Sequence, residues 1–357
     1  MQKIYFTPGP SQLYFTVEEH LKSALNKNIG SISHRGQQFK DIYQHADKGL
    51  RSLLNLPDNF KIIFTSSASE VWERIIQDCV MNSSTHFVNG AFSNKFYQTA
   101  VQLGVNPEKI EAEDGSCASL DELKADSQPE LISFTHNETS TGAAQPLQDI
   151  YAAREKFPEA LITVDVVSSL PYVDIDYTKV DSVYFSVQKS FGMPAGLGVW
   201  LVNDRCIEAA LKKEALRKTI SGGFRLTNSY KMAMKYQTPA TPNVLGIYLL
   251  SKVVEDMNLK GIDMIRRETE YKAALLYHTI NESKVLSPFV KDKNYQSKTV
   301  IIAQTENNAE IIEPISEKGF ILGTGYGKYK NEHIRIANFP THSKEQVEML
   351  SDFILLA

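Results

Sequence analysis

The chain has 357 residues, of which 42% are hydrophobic and 22% charged, and this composition excludes fibrous and intrinsically disordered proteins. Its 38 Lys and Arg residues against 42 Asp and Glu residues give a formal charge of −4, so we expect no nucleic-acid partner. No segment approaches the roughly 18 apolar residues of a membrane span. The three cysteines lack the spacing of a disulfide framework or a zinc site. We therefore expect a cytoplasmic protein that is not attached to a membrane.

Short runs of β-branched and aromatic residues alternate with helix-like stretches between residues 61 and 202. The runs cover residues 61–65, 86–88, 131–135, 161–165, 181–186 and 198–202. This alternation predicts an α/β fold with a mostly parallel sheet. Because ligands bind beyond the carboxyl ends of the strands in such a sheet, the residues that follow each run are the candidates for a functional site.

Capping signals and prolines divide the chain further. Residues 67–70 (Ser-Ala-Ser-Glu) and 343–346 (Ser-Lys-Glu-Gln) have the spacing of a capping box, which predicts the start of a helix at each place. Residues 238–242 (Thr-Pro-Ala-Thr-Pro) interrupt the pattern, and a long helical region and a few short strands follow. The predicted organisation is an N-terminal segment, a large domain and a small C-terminal domain, at residues 1–15, 16–243 and 244–357.

Asp165 ends one of the apolar runs, and Lys189 follows shortly after another. Considered alone, Lys189 is more typical of a solvated surface lysine, and Asp165 could equally be a helix cap or a turn residue. Together they are what a pyridoxal phosphate enzyme needs. The amine bonds to the cofactor aldehyde and later takes a proton from the substrate Cα, while the carboxylate pairs with the pyridine nitrogen. The pair therefore predicts pyridoxal phosphate as the cofactor.

Several motifs in the same order resemble the class V, fold-type I aminotransferases, and most closely their phosphoserine aminotransferase branch. They are residues 6–10 (Phe-Thr-Pro-Gly-Pro), 33–36 (Ser-His-Arg-Gly), 136–142 (His-Asn-Glu-Thr-Ser-Thr-Gly), 165–169 (Asp-Val-Val-Ser-Ser), 188–189 (Gln-Lys) and 194–198 (Pro-Ala-Gly-Leu-Gly). The resemblance implies a large cofactor-binding domain with a mostly parallel seven-stranded sheet and a smaller α+β domain. It also implies a homodimer with active sites at the subunit interface.

The resemblance assigns cofactor contacts as well. The backbone of Ala68, Ser69 and Glu70 would hold the cofactor phosphate at the start of a helix, where free N–H groups favour an anion, although these residues also fit a plain capping box. Phe92 would stack on the pyridine ring, with an ordinary core aromatic as the alternative. The other implied contacts are Thr139 at the 3′-oxygen, Gln188 at the phosphate, and Gln237 and Thr238 at the phosphate of the partner subunit's cofactor.

Four basic residues are implied in substrate binding. Arg335 matches the arginine that binds the α-carboxylate, although a lone arginine is more often part of a surface ion pair. His34 and Arg35 match a basic pair that reaches the substrate phosphate from across the interface, or else form a polar turn. Lys328 stands where phosphoserine aminotransferases have a second His-Arg pair, and lysine is a poorer bidentate partner of phosphate than arginine.

The expected function is transfer of an amino group from glutamate to 3-phosphohydroxypyruvate, giving O-phosphoserine for serine biosynthesis. The alternative in the same class is an alanine or serine aminotransferase that uses glyoxylate or pyruvate. A cysteine desulfurase needs a nucleophilic cysteine in the C-terminal third, and no cysteine follows Cys206. A homologue that binds the cofactor without catalysis stays open, although retention of Lys189, Asp165 and Arg335 argues against it.

Overall fold

The computed structural model describes residues 3–124, 127–218 and 222–356. The strands in that part of the chain are β1 Ile4–Phe6, β2 Phe60–Thr65, β3 Ser83–Val88, β4 Asn106–Glu111, β5 Leu131–Thr135, β6 Leu161–Asp165, β7 Ser182–Ser186, β8 Gly198–Asn203, β9 Ser287–Pro288, β10 Val300–Gln304, β11 Phe320–Thr324 and β12 His333–Ala337. The α-helices are α1 Val17–Asn26, α2 Gln37–Leu54, α3 Ala68–Cys79, α4 Ala91–Gln102, α5 Leu147–Lys156, α6 Asp204–Ala215, α7 Leu226–Ala233, α8 Val244–Lys260, α9 Ile262–Glu282, α10 Ala309–Glu317 and α11 Lys344–Leu356.

Seven of the described strands form one sheet, in the order β2-β8-β7-β6-β5-β3-β4, in which only β8 runs against its neighbours. Every residue of β5, β6, β7 and β8 is buried, because helices cover both faces of the sheet. This double burial explains the continuous apolar runs in the sequence. The predicted α/β fold with a mostly parallel sheet is confirmed.

The edge strand β4 was not predicted from the sequence. Three of its six residues, Asn106, Glu108 and Glu111, are exposed, as expected of a strand with one neighbour. Pro107 cannot donate a backbone hydrogen bond, so it is tolerated at the sheet edge and would not be tolerated inside. The proline and the charged residues removed the apolar signal on which the prediction of the other strands depended.

The parallel arrangement gathers six strand ends at one edge of the sheet. The strands β2, β3, β4, β5, β6 and β7 all finish there, and the register pairs Thr135 with Asp165 and Asp165 with Tyr184. The segments that leave these ends contain most of the residues predicted to contact the cofactor, whereas His34, Arg35, Gln237, Thr238, Lys328 and Arg335 come from elsewhere in the chain. One edge of the large sheet therefore carries the candidate site.

A second sheet of five strands lies in the order β1-β11-β12-β10-β9 and has its own apolar core. Strand β1 belongs to this sheet by parallel pairing with β11, so the N-terminal segment predicted at residues 1–15 contributes a strand to the second sheet. Helix α8 packs in the core of the large sheet, whereas the second half of α9 packs in the smaller core. The two helices are separated at Gly261, whose φ of +85° favours glycine. The domain bounds predicted from the sequence stay a prediction.

The last helix starts as predicted from its capping box. The Ser343 side chain accepts a hydrogen bond from the backbone of Gln346, and the Gln346 side chain accepts one from the backbone of Ser343. Cys79, Cys117 and Cys206 are buried and form no disulfide. None of the helices in the described ranges is both long and apolar enough to cross a membrane.

Candidate active site

Lys189 and Asp165 are both buried beside the edge where the parallel strands end. Only 8% of the Lys189 surface and 5% of the Asp165 surface is exposed. Burial lowers the pKa of the Lys189 ammonium, and the negative charge of Asp165 partly offsets this effect. Burial also raises the pKa of the Asp165 carboxyl, while a hydrogen bond from Val167 and the charge of Lys189 act against the rise. A lysine with a lowered pKa is suited to nucleophilic and base chemistry near neutral pH.

A chain of hydrogen bonds orients the Lys189 amine. Its Nζ donates to Thr139 Oγ1 at 2.7 Å, Thr139 Oγ1 donates to Ser168 Oγ at 3.1 Å, and Ser168 Oγ donates to the Asn137 carbonyl at 2.9 Å. Because the hydroxyl hydrogens point away from Lys189, a lone pair of Thr139 faces the amine. The sequence predicted that the Thr139 hydroxyl contacts the 3′-oxygen of the cofactor. In the structure this hydroxyl accepts a hydrogen bond from Lys189.

Phe92 lies beside Lys189 at the start of α4. The Lys189 Nζ is 5.2 Å from the centroid of the Phe92 ring, within the range of a cation–π contact. The strand β3 ends at Val88, and the turn through Gly90 leads directly into the helix that carries Phe92. The ring thus borders the same space as the amine, where it could pack on a flat cofactor ring.

A buried carboxylate that the sequence reasoning missed holds this turn. Glu138 is 0% exposed, and its Oε2 accepts hydrogen bonds from the backbone of Phe92 and Ser93 at 3.1 and 3.0 Å. Its Oε1 accepts from the backbone and hydroxyl of Ser140 at 3.1 and 2.7 Å. Gly90 allows this approach, because a Cβ there would lie 2.4 Å from Glu138 Cγ. Glu138 therefore caps α4 and fixes the backbone of Phe92 next to Thr139.

The sequence contained a signal for Glu138. It is the one charged residue of the motif at residues 136–142, which follows a fully buried strand. A carboxylate at such a place must be either exposed or saturated with donors, and the neighbouring serines and threonines could supply them.

Removal of this charge should damage both the fold and the site. We expect Glu138→Gln to lower the free energy of unfolding by about 1–3 kcal/mol, because its amide NH₂ would face donors that then lose their acceptor. The absorbance spectrum of the bound cofactor should also change, since Phe92 is released. Denaturant unfolding and visible spectroscopy measure the two effects. Glu130→Gln is the matched control, because Glu130 also accepts from two backbone N–H groups, of Met81 and Asn82, but at the other end of the sheet. A spectrum unchanged in Glu138→Gln would contradict the positioning role.

The N-terminal segment covers Lys189 from another side. A Cβ on Gly9 would lie 2.9 Å from Lys189 Cε, and the backbone of Ser11 donates to the carbonyl of Gln188 at 3.1 Å. The segment between β1 and α1 therefore packs directly on the lysine. Because β1, which precedes this segment, belongs to the second sheet, the segment links that sheet to the candidate site.

The residues fit pyridoxal phosphate as a group. They provide a buried amine for its aldehyde, a buried carboxylate for its ring nitrogen and an aromatic ring for its face. Each of the two buried charges would be costly without a partner, and a cofactor between them would supply one.

The turn predicted to hold the cofactor phosphate has its own hydrogen bonds. The backbone of Ala68 donates to Ser186 Oγ at 2.8 Å, and the Ser67 side chain caps the backbone of Glu70 at 3.4 Å. The Glu70 carboxylate does not complete the predicted capping box. It accepts instead from the backbone and hydroxyl of Ser66 at 2.8 and 2.7 Å and pairs with Arg74. Ser69 is exposed in the first turn of α3. A phosphate bound here would have to displace or share these contacts.

Arg335 is held on β12 by backbone carbonyls. Its Nε donates to the carbonyl of Thr324 at 2.7 Å, and its guanidinium lies 5.6 Å from the centroid of the Tyr326 ring and 3.4 Å from the carbonyl of Thr139. Burial lowers its pKa, although the group stays charged at neutral pH. Arg335 is therefore near Thr139, which binds Lys189, as an arginine for a substrate carboxylate should be.

The structure brings the predicted pair His34-Arg35 next to the predicted pair Gln237-Thr238, through contacts of Arg35. The Arg35 guanidinium donates to the carbonyls of Thr238 and Pro239 at 2.8 and 3.1 Å and to the Gln237 side chain at 3.4 Å. Thr238 lines a cavity of about 390 Å³ that Ser66 and Glu70 also border. The pKa of His34 is lowered by burial and by the charge of Arg35.

Lys328 is engaged with a carboxylate. Its Nζ pairs with Asp114 at 2.5 Å, and the Tyr329 hydroxyl donates to the same carboxylate at 2.8 Å. The Lys328 side chain is 72% exposed, so the pair contributes little to stability. A substrate anion at Lys328 would have to compete with Asp114.

Comparison with known proteins agrees with this geometry. The family model of the class V aminotransferases matches residues 5–326. The chain belongs to the class V aminotransferase family. A solved phosphoserine aminotransferase from Cytophaga hutchinsonii superposes with a TM-score of 0.96 and is 48% identical, with 98% of each chain covered. A phosphoserine aminotransferase from Rhodococcus opacus is 26% identical over 98% of this chain and 93% of its own length. An alanine–glyoxylate aminotransferase from Nostoc, at a TM-score of 0.81 and 22% identity over all of this chain and 95% of its own, shares the fold.

The family confirms the enzyme class and the cofactor that the sequence predicted. The chain is a pyridoxal phosphate-dependent aminotransferase, whose substrates are amino acids and keto acids. The cofactor supplies an electron sink for the charge left when a substrate Cα loses its proton. The assignment of individual residues stays a prediction and is treated below as a proposal.

Proposed function

We propose that the chain is a phosphoserine:2-oxoglutarate aminotransferase, which moves the amino group of glutamate to 3-phosphohydroxypyruvate in serine biosynthesis. The observation that carries the proposal is the 48% identity, over 98% of both chains, to the phosphoserine aminotransferase of Cytophaga hutchinsonii. Relatives of the same name from Rhodococcus and Nocardioides, at 26–27% identity over 97–98% of the chain, support it.

In this proposal Lys189 bonds to the cofactor and serves as the base, and Asp165 holds the proton of the ring nitrogen. Both roles suit the burial and opposite charges of the two groups. Phe92 packs on the ring and Arg335 binds the α-carboxylate, so that the Cα–H bond is presented to Lys189. The other proposed cofactor contacts are Ala68, Ser69, Glu70, Thr139, Gln188, Gln237 and Thr238, and the other proposed substrate contacts are His34, Arg35 and Lys328.

We also propose a cytoplasmic homodimer with shared sites. Arg35 and the Gln237-Thr238 pair are both predicted to reach the active site of the partner subunit. The contacts between Arg35 and residues 237–239 support the dimer, because they hold the two segments side by side. Three buried thiols that form no disulfide are typical of a reducing compartment.

The second candidate is an aminotransferase for an unphosphorylated keto acid such as glyoxylate or pyruvate. The ion pair of Lys328 with Asp114 favours it, since this pair leaves less free positive charge for a phosphate. The comparison of kcat/KM for 3-phosphohydroxypyruvate, hydroxypyruvate and glyoxylate in the wild-type enzyme separates the candidates. A preference for glyoxylate would overturn the phosphoserine assignment.

Arg35 provides a sharper test of the phosphate. We expect Arg35→Ala to lower kcat/KM for 3-phosphohydroxypyruvate about ten- to a hundredfold more than for hydroxypyruvate or glyoxylate, because one charge-assisted hydrogen bond contributes about 1.5–3 kcal/mol. Arg335→Ala, which removes the α-carboxylate contact common to all three, should impair them alike. An equal loss on all three substrates in Arg35→Ala would exclude a phosphate contact by Arg35.

A further inference from the structure

Lys95 lies one helical turn after Phe92 on the same face of α4. Its Nζ donates to the Tyr326 hydroxyl at 2.8 Å and lies 5.2 Å from the Phe92 centroid and 5.4 Å from the Tyr326 centroid. Two aromatic rings and a hydroxyl therefore fix the ammonium group at one place. Among the described residues, no carboxylate lies within the 4.0 Å of an ion pair with it.

The same two rings connect Lys95 to the groups that act on a substrate. The Lys189 Nζ is also 5.2 Å from the Phe92 centroid, so the two amines are at most twice that distance apart. The Arg335 guanidinium is 5.6 Å from the centroid of Tyr326, whose hydroxyl accepts from Lys95. A molecule held by Arg335 and reaching toward Lys189 would thus have a second cation nearby.

The charge of Lys95 is more available than that of Lys328 or Arg35, two of the basic residues predicted from the sequence. Lys328 is paired with Asp114, and Arg35 donates to backbone carbonyls. Lys95 instead donates to an uncharged hydroxyl and lies over ring faces, and an anion can join these contacts without displacing a carboxylate. The side chain is also exposed, so a substrate can reach it.

We propose that Lys95 binds the anionic group at the distal end of the substrate, while Arg335 holds the α-carboxylate. This inference rests on the proposed function and names its substrate class as amino and keto acids with a second anion, a carboxylate or a phosphate. The Tyr326 hydroxyl positions the ammonium group. The motifs of the sequence analysis did not include either residue.

Binding of unreactive acids to the cofactor-loaded enzyme tests the inference without turnover. Glutarate carries a second carboxylate that butyrate lacks, so the ratio of their dissociation constants by calorimetry isolates the distal anion. We expect Lys95→Met to raise the dissociation constant of glutarate about tenfold, because one charge-assisted hydrogen bond is lost. The dissociation constant of butyrate should stay unchanged. Lys95→Arg should keep most of the preference. Lys109→Met is the matched control, since Lys109 also lies over a tyrosine ring, that of Tyr97.

Rates with substrates complete the test. In Lys95→Met, kcat/KM for glutamate and 3-phosphohydroxypyruvate should fall about tenfold relative to alanine and hydroxypyruvate. If the wild type prefers the dianions and Lys95→Met keeps that preference, the role of Lys95 is wrong and the proposed function stands. If the wild type does not distinguish glutarate from butyrate and prefers glyoxylate, the proposed function fails as well. Equal weakening of both acids in Lys95→Met would also overturn the role of Lys95, because it would indicate a general disturbance of the site.

Discussion

Replacement of Lys189 by alanine is expected to reduce the rate of amino transfer by at least about 10²–10⁴-fold, the usual contribution of a positioned base. The residue is buried beside Asp165 and Phe92, and its amine is aimed by Thr139. In its proposed role Lys189 bonds to the cofactor aldehyde and carries the proton from the substrate, and a truncated side chain can do neither. The loss should therefore exceed that of any substitution at a binding residue.

Two measurements check this expectation. Stopped-flow kinetics with glutamate gives the rate, and borohydride reduction followed by peptide mass analysis locates the lysine that bonds to the cofactor. Lys213→Ala is a suitable control, because Lys213 is likewise a buried lysine, 6% exposed, which donates to the carbonyls of Ile76 and Val80 outside the site. If the reduced cofactor were found attached to a lysine other than Lys189 in the wild-type enzyme, the proposed role of Lys189 would be wrong.

The sequence predicted the large sheet well because its central strands are buried on both faces. The predicted runs at residues 131–135 and 161–165 coincide with β5 and β6, since continuous apolar character ends where each strand leaves the core. The long helical region predicted after residues 238–242 corresponds to α8 and α9, which are separated at Gly261. Periodicity alone does not show such a break, because both helices keep an apolar face on either side of it.

The sequence indicated where the two charged residues of the candidate site lie, but not their supporting contacts. Asp165 ends β6 and Lys189 follows β7, and these places depend on local sequence. Glu138 and Tyr326 act through contacts with residues far away in the chain, such as Glu138 with Phe92 and Tyr326 with Lys95. Glu70 shows a local limit, because its carboxylate accepts from Ser66 and pairs with Arg74, each four residues away, although its spacing predicts a capping box. Spacing alone does not decide between such neighbouring partners.

Substitution of Asp165 by asparagine is expected to keep the cofactor bound but to slow proton removal from the substrate by about 10²–10³-fold, the usual cost of losing one preorganised electrostatic contact. Asparagine has nearly the same size and can still accept the hydrogen bond that Val167 donates to Oδ1 at 2.9 Å. The amide carries no charge, however, so it cannot hold a proton on the ring nitrogen. Single-turnover kinetics with glutamate measures the effect.

The dependence on pH distinguishes this role from a structural one. Burial raises the pKa of Asp165, so its carboxylate should become protonated at a higher pH than an exposed aspartate, and the wild-type rate should fall as the pH is lowered through that pKa. Asp165→Asn lacks the titrating group, so this acidic decline should be absent. Asp181→Asn is the control: Asp181 is buried at the start of β7 and pairs with Arg154, so its loss should lower stability and leave the rate profile intact. If Asp165→Asn kept the wild-type rate and the wild-type dependence on pH, the proposed role of Asp165 would be wrong.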